Sequence, residues 1–155
     1  NVFHSNVAWI SNPHIAWISI GVIGVWSIIG YNMVLFISGL QEIPGDYYEA
    51  ASIDGATGIR QFFSITVPLL SPTTFFIVQT RVIGALTVFD LMFMVMDKTN
   101  VALQNTQSIV YLFYTYAFTN GNKGYGATLV VILVLFIMLV TVIMQQAEKK
   151  LVYHA

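Results

Sequence analysis

Charge is scarce in this sequence. Its 155 residues include six Lys or Arg and seven Asp or Glu, 8% in all, against about a quarter in an ordinary soluble domain. A chain so poor in charge cannot cover a water-facing surface of its own size. The net charge of −1 removes the electrostatic case for nucleic acid. Cysteine is absent, which excludes disulfides and thiolate metal sites. His4, His14 and His154 are scattered and never stand at i,i+4, so no metal site is expected. No GxxxxGK[ST] phosphate loop occurs, so nucleotide would have to be held by another chain. No nucleophile–base pair stands at a meaningful spacing, and an enzyme is not expected. The chain opens at Asn1, without Met and without a basic n-region and short apolar run. It reads as a piece of a longer polypeptide.

Apolar residues make up 57% of the chain, and the charges are unevenly placed. None falls in Asn1–Gln41, Gln61–Thr80 or Gly124–Ala147. A helix crossing the hydrocarbon layer needs roughly 20 mainly apolar residues, and each of these gaps can hold one. The pattern predicts an all-α, polytopic helical membrane protein in a single domain over residues 1–155. Membrane spans are expected at about 15–40, 68–89 and 125–146. Trp9, among Asn, Ser and Pro, suits the headgroup level. Gly21, Gly24, Ser27 and Gly30 recur every third residue along the first span, a ridge along which helix backbones can approach or ordinary glycine tolerance in a membrane helix. The run Ile109–Phe118 is too short to cross and reads as a short interfacial or partly buried helix. Arg60, Lys149 and Lys150 fall on one side of the membrane and Lys98 and Lys123 on the other.

The polar segment 42–66 breaks the apolar pattern. Asp46 followed by Glu49 predicts a capping box at the start of a short helix. Gly55 after Asp54 is an expected left-handed stop. Thr57 can then cap a second short helix reaching about Phe63. Pro68 and Pro72 are tolerable near the start of the next helix. The prediction is two short helices bent at Gly55, outside the hydrocarbon.

The same segment carries a longer pattern. Glu49-Ala50-Ala51, three residues, Gly55, nine residues, then Ile65-Thr66-Val67-Pro68 resembles the EAA-x3-G-x9-I-x-L-P signature of ABC importer permeases, with Val67 in place of Leu. LQEIPGDYYEAASIDGAT, FFSITVPLLSP, Phe89-Asp90 and Tyr114-Thr115-Tyr116-Ala117-Phe118 resemble the carbohydrate-uptake branch, of the maltose and glycerol-3-phosphate permease type. The resemblance implies an importer permease with a MetI-like transmembrane domain, in a prokaryotic plasma or inner membrane. It implies a cytoplasmic loop at 42–66 that docks on an ABC ATPase subunit, with Glu49, Ala50, Ala51, Asp54, Gly55 and Arg60 as coupling residues. Tyr48, Ile53, Phe62 and Phe63 are available to anchor that loop. The external connection would be 90–123. A second permease subunit in a heterodimer, a solute-binding protein, and ATP with Mg on the partner ATPase complete the implied machine, whose solute would be a sugar or polyol. The branch's T-x-G-G-P segment after Phe-Asp is missing, since the chain reads MVMDKTNVALQNT there, and about three earlier spans are expected upstream. A helical membrane scaffold subunit of another complex is the alternative. A self-sufficient secondary transporter would need repeated broken helices, which the sequence does not display.

Three polar residues interrupt the second span. Arg81 in mid-helix costs roughly 2.5–3.5 kcal/mol on insertion scales and needs a partner or water. It reads either as a pathway residue for an anionic or polyhydroxy solute or as an interhelical pair, with Gly84, Ala85 and Val88 on its side. Gln79 and Asp90, eleven residues apart, fall on one stripe of a continuous helix with Ile83 and Leu86. That stripe could line a pathway or face a neighbour. Tyr111, Tyr114 and Tyr116 read as an aromatic belt or as sugar-stacking rings.

Overall fold

The first long helix grows out of a side-chain-closed turn. Asn12 Oδ1 accepts from the His14 amide at 3.0 Å, and its carbonyl accepts from the amides of Ile15 and Ala16. Helix α1 (Ala16–Gln41) comes next. Ser19 Oγ donates back to the Trp9 carbonyl at 2.8 Å, tying the entry segment to the helix. This geometry comes from a computed structural model, in which residues 9–96 and 100–151 are described. His4, Lys98 and His154 lie outside the described residues, and Lys150 is described by its backbone alone.

Eight further α-helices complete the order among the described residues. They are α2 (Asp46–Ile53), α3 (Gly58–Gln61), α4 (Val67–Leu69), α5 (Ser71–Leu86), α6 (Asp90–Val95), α7 (Leu103–Thr106), α8 (Ile109–Tyr114) and α9 (Lys123–Leu151). A π-helical turn at Phe62–Thr66 joins α3 to α4, and a second at Thr115–Thr119 extends α8. At 26 and 29 residues, α1 and α9 are roughly 39 and 43 Å long, more than the roughly 30 Å of a bilayer core. Both are apolar on all sides, with Trp26 and Leu135 among the side chains left outside. Such a helix is stable only against lipid or other apolar helices. A third crossing arises if Gly58–Leu69 and Ser71–Leu86, bent by 59°, count as one broken span.

The chain divides into two compact units, Asn1–Ile28 with Ile83–Met138, and Ile29–Val82 with Leu139–Ala155. In the first unit, Ala16, Ile20, Met92, Met96, Ala102, Leu103 and Tyr111 form a buried cluster. Ser108 organises it. Its hydroxyl caps α8 by accepting from the Tyr111 amide at 3.1 Å and donates to the Val88 carbonyl, while its own amide points at the Met92 sulfur. The 90–123 connection is therefore a folded element with its own interior. Tyr111, 4% exposed, belongs to that interior and offers its ring neither to a headgroup belt nor to a sugar. Of the glycine ridge, Gly24 is engaged, with Leu91 Cδ1 3.4 Å from where its Cβ would stand, and Gly21 and Gly30 face open space.

Helix α5 ends at Leu86, and Asp90 opens the separate helix α6. The expected stripe through Gln79, Ile83, Leu86 and Asp90 therefore does not exist as one helical face. Thr87–Phe89 interrupt it, with Phe89 at φ −133° leaving the helical path.

In the same unit Asn122 Oδ1 accepts from the Tyr125 amide at 3.1 Å and caps α9, after Gly121 at φ +70°. The helix then passes the π turn at Gly126, where an added Cβ would stand 2.8 Å from Ala117 Cβ. Overpacking of this kind typically costs about 1–3 kcal/mol. Gly126→Ala should lower the thermal stability of the detergent-solubilised full-length permease by that amount, and Ala117→Gly added to it should recover part of the loss. An unchanged melting profile for Gly126→Ala would show that α9 and the π turn are not held in contact.

Candidate functional site

The 42–66 segment is built from short helices closed by backbone geometry. Pro44 ends the approach from α1, and the Gly45 carbonyl accepts from the amides of Tyr48 and Glu49 at 2.9 and 3.1 Å. Gly45 is the cap of α2, and no side chain bonds to the free amides there. The expected capping box therefore does not form. Asp46 is already the first helical residue, because the Pro-Gly turn brings the chain into helical geometry one residue early. Asp46 and Glu49 instead place negative charge in the first turn, where the helix dipole favours it.

The end of α2 matches the expectation closely. Gly55 lies at φ +76°, its amide donates to the Ser52 carbonyl at 3.0 Å, and the Ala56 amide donates to Ala51 at 2.9 Å. These two bonds are a Schellman closure. Thr57 then starts α3 from an extended conformation, although its hydroxyl makes no cap bond. The second short helix does not stop at Phe63. It passes through the π turn, where the Val67 amide reaches the Phe62 carbonyl, and continues to Leu69. The widened turn accommodates Pro68, which has no amide to give and a ring that crowds the preceding turn. The break falls at Leu70, and Pro72 sits in the first turn of α5.

Side chains tie the outgoing and returning halves of the loop together. Gln61 Nε2 donates to Ser52 Oγ at 3.0 Å and to the Ala56 carbonyl at 3.2 Å, and Ser52 Oγ donates to the Tyr48 carbonyl at 2.7 Å. The hydroxyls of Tyr48 and Thr66 meet at 2.8 Å, with Thr66 buried. Tyr48 thus anchors the loop inward, as expected for one of the four candidate anchors. The others point outward. Ile53 is 87% and Ile59 75% exposed, and Phe62 and Phe63, packed edge to face, are more than half exposed. Glu49, Ala50, Asp54, Gly55 and Arg60 are exposed beside them, and Ala51 is half-buried. Exposed isoleucines among small residues and single charges of both signs make a surface suited to a protein partner. Ile59 carried no signal in the sequence beyond its place after the glycine bend.

Arg81 stands apart from this loop. Its guanidinium centre lies 5.0 Å from the centroid of the Tyr31 ring, a cation–π distance. Its Nε is buried without a hydrogen-bond partner, and so is Asn32 Oδ1, in the same unit. Arg81 therefore has an aromatic neighbour on α1 where a carboxylate or carbonyl was the expected pair. The Gly84 side is open, with nothing within 4 Å of an added Cβ. Gln79 is half-buried and Asp90 exposed, and the break in the helix leaves no common face to join them. Among the described residues no group of three or more His, Asp or Glu is placed to hold a metal ion.

A chain with apolar spans on either side of an exposed, small-residue helix pair belongs among membrane transport components. Its residues 2–153 match the family described as "Binding-protein-dependent transport system inner membrane component", and the chain belongs to that family. It is 37% identical over 144 residues to the sn-glycerol-3-phosphate transport system permease protein UgpA of Rhizobium meliloti (strain 1021), covering 92% of this chain and 48% of the relative. It is 38% identical over 130 residues to the UgpA of Agrobacterium fabrum, covering 83% and 44%. To the arabinooligosaccharides transport system permease protein AraP of Bacillus subtilis it is 30% identical over 135 residues, covering 87% and 43%. The chain spans about half the length of the curated relatives it matches. These relatives are transport permeases and not enzymes.

Gly55 offers a local test. An added Cβ there meets nothing within 4 Å, so the cost of substitution is the left-handed backbone alone, about 1–2 kcal/mol for most residues and less for Asn. Protease resistance of the loop should fall in the order Gly55, Gly55→Asn, Gly55→Ala, Gly55→Val. An Asn variant as labile as the Val variant would mean that something other than φ governs the turn.

Proposed function

We propose that this chain is part of the permease subunit of an ATP-driven importer, and that residues 46–64 are its joint to a cytosolic ATPase. The observation that carries the proposal is the outward presentation of Ile53 and Ile59 on two tied short helices, between helices suited to lipid. A surface of this kind in water would be a liability unless a protein covered it. Ala50, Ala51 and Gly55 let such a partner approach closely, while Glu49, Asp54 and Arg60 supply charges for its register. ATP and Mg belong to that partner. Closure of paired ATPases would move the loop and drive alternation between outward- and inward-open states. A second permease subunit and a solute-binding protein complete the assembly, with the 42–66 loop on the cytoplasmic side and the 90–123 connection on the external side. The similarity to glycerol-3-phosphate and arabinooligosaccharide permeases supports a sugar or polyol as solute.

Arg81 is the pathway candidate this reading favours. A cation held at the face of Tyr31, with Nε unsatisfied, retains donors for an anionic or polyhydroxy solute. Gln79 and Asp90 remain candidates on their own positions, without the shared stripe.

Two experiments test these assignments in the full-length permease with its partners. Ile53→Asp combined with Ile59→Asp should leave membrane insertion intact and reduce ATPase recovered on co-purification by about tenfold, the equivalent of losing roughly 1.4 kcal/mol; full recovery of the ATPase would remove the docking role. Arg81→Leu should abolish or shift the solute stimulation of ATPase activity while leaving basal activity in place. Unaltered solute response would return Arg81 to a purely interhelical role.

A further inference from the structure

Within the unit formed by Ile29–Val82 and Leu139–Ala155, three cross-ties enclose one another around the bend at Gly55. The innermost joins Ser52 to Gln61, and the next joins Tyr48 to Thr66. The outermost is a contact of bare backbone. Gly39 is buried near the end of α1, and an added Cβ there would stand 2.5 Å from Thr73 Oγ1, 3.0 Å from Thr73 Cβ and 3.0 Å from Leu70 Cδ1. Nothing larger than hydrogen fits. The contact reaches both sides of the break at Leu70, since Leu70 ends α4 and Thr73 lies in the first turn of α5.

We propose that Gly39 and Thr73 are positioning residues for transport, forming a fulcrum that stays closed through the cycle. The proposal rests on the reading of 46–64 as the ATPase joint. A lever transmits displacement only if its base does not slide. The two hydrogen-bonded ties stiffen the tip and middle of the loop, but the bend at Leu70 and the π turn at Phe62–Thr66 are the places where a push could be absorbed. Tyr48 holds the π turn through Thr66, and Gly39 holds the break through Leu70 and Thr73. With both held, movement of the loop must carry the adjoining ends of α1 and α5 with it. A methyl group at Gly39 separates the base without touching the surface that meets the ATPase.

The test uses full-length permease, otherwise free of cysteine, reconstituted with its ATPase and binding protein and supplied with a transported solute. Gly39→Cys with Thr73→Cys should cross-link under mild oxidant, the Cβ separation being near or slightly below the usual disulfide range of about 3.5–4.5 Å. Transport by the oxidised protein should stay within about twofold of the same protein after reduction, as expected when a contact has one arrangement throughout. Failure to cross-link, or a loss of transport that reduction restores, overturns the proposal. Gly39→Ala should keep ATPase recruitment and turnover yet lower the solute moved per ATP by about fivefold or more, and Thr73→Gly added to it should restore the ratio, as coupled neighbours do. A Gly39→Ala protein that is only less abundant, with an unchanged ratio, makes the contact ordinary packing. If the reduced double-cysteine protein fails to recruit ATPase at all, the joint itself is wrong, which is a different result from a recruited ATPase with lost transport.

Discussion

Hydrocarbon offers no hydrogen bonds, so a backbone that enters it must satisfy its own amides and carbonyls. That constraint explains why the described residues form helices and why the irregular pieces fall where they do. Helices α1 and α9 satisfy their backbones internally along their length. At their entries the free groups are taken up by Asn12 and Asn122, each a single side chain closing the first turn. The break at Leu70 is handled in the same way, with its amide donating to the Thr66 carbonyl and its carbonyl accepting from Thr74. Departures from regular helix are therefore local and satisfied, and none leaves a stretch of bare backbone facing lipid.

The loop between α1 and α5 solves the opposite problem. It has to hold a fixed shape with little apolar interior, since α2 and α3 contain no buried residue. Hydrogen bonds do the work that a core would otherwise do. The Schellman pair sets the turn, Gln61 clasps Ser52 and Ala56, and Tyr48 reaches the buried hydroxyl of Thr66. This leaves the isoleucines free to face outward. Rigidity from polar ties and stickiness from exposed apolar groups suit a part that must be both stiff and adhesive.

Much of this was legible in the sequence, for identifiable reasons. Charge-free runs locate the long helices because lipid tolerates few charges. Asp54-Gly55 after a helix announces a left-handed stop because few other residues accept that φ. The four-part signature of Glu49-Ala50-Ala51, Gly55 and Ile65–Pro68 identifies the family. The misplaced features depend on contacts between segments. Asp46 and Glu49 have capping-box spacing, but a Pro-Gly turn, whose effect is purely in the backbone, starts the helix earlier. The end of α5 at Leu86 is invisible to hydrophobic periodicity, since Thr87–Phe89 could continue the helix; the chain beyond them instead joins the separately packed cluster around Met92 and Tyr111. Tyr31 lies in an apolar run with nothing to mark it as the neighbour of Arg81. Gly39 resembles any other membrane-helix glycine until its neighbour is known.

The π turn at Phe62–Thr66 has a consequence for how this region can vary. A π turn holds one more residue than the α turn it replaces. Removing a single residue between Gly55 and Pro68 would let the turn relax to ordinary helix and rotate everything after it by about 100°. Pro68, Leu70 and Thr73 would then face away from α1, and the rotation would pass along α5 to Arg81. The nine residues between Gly55 and Ile65 thus act as a phase setting, and length is as constrained there as chemistry.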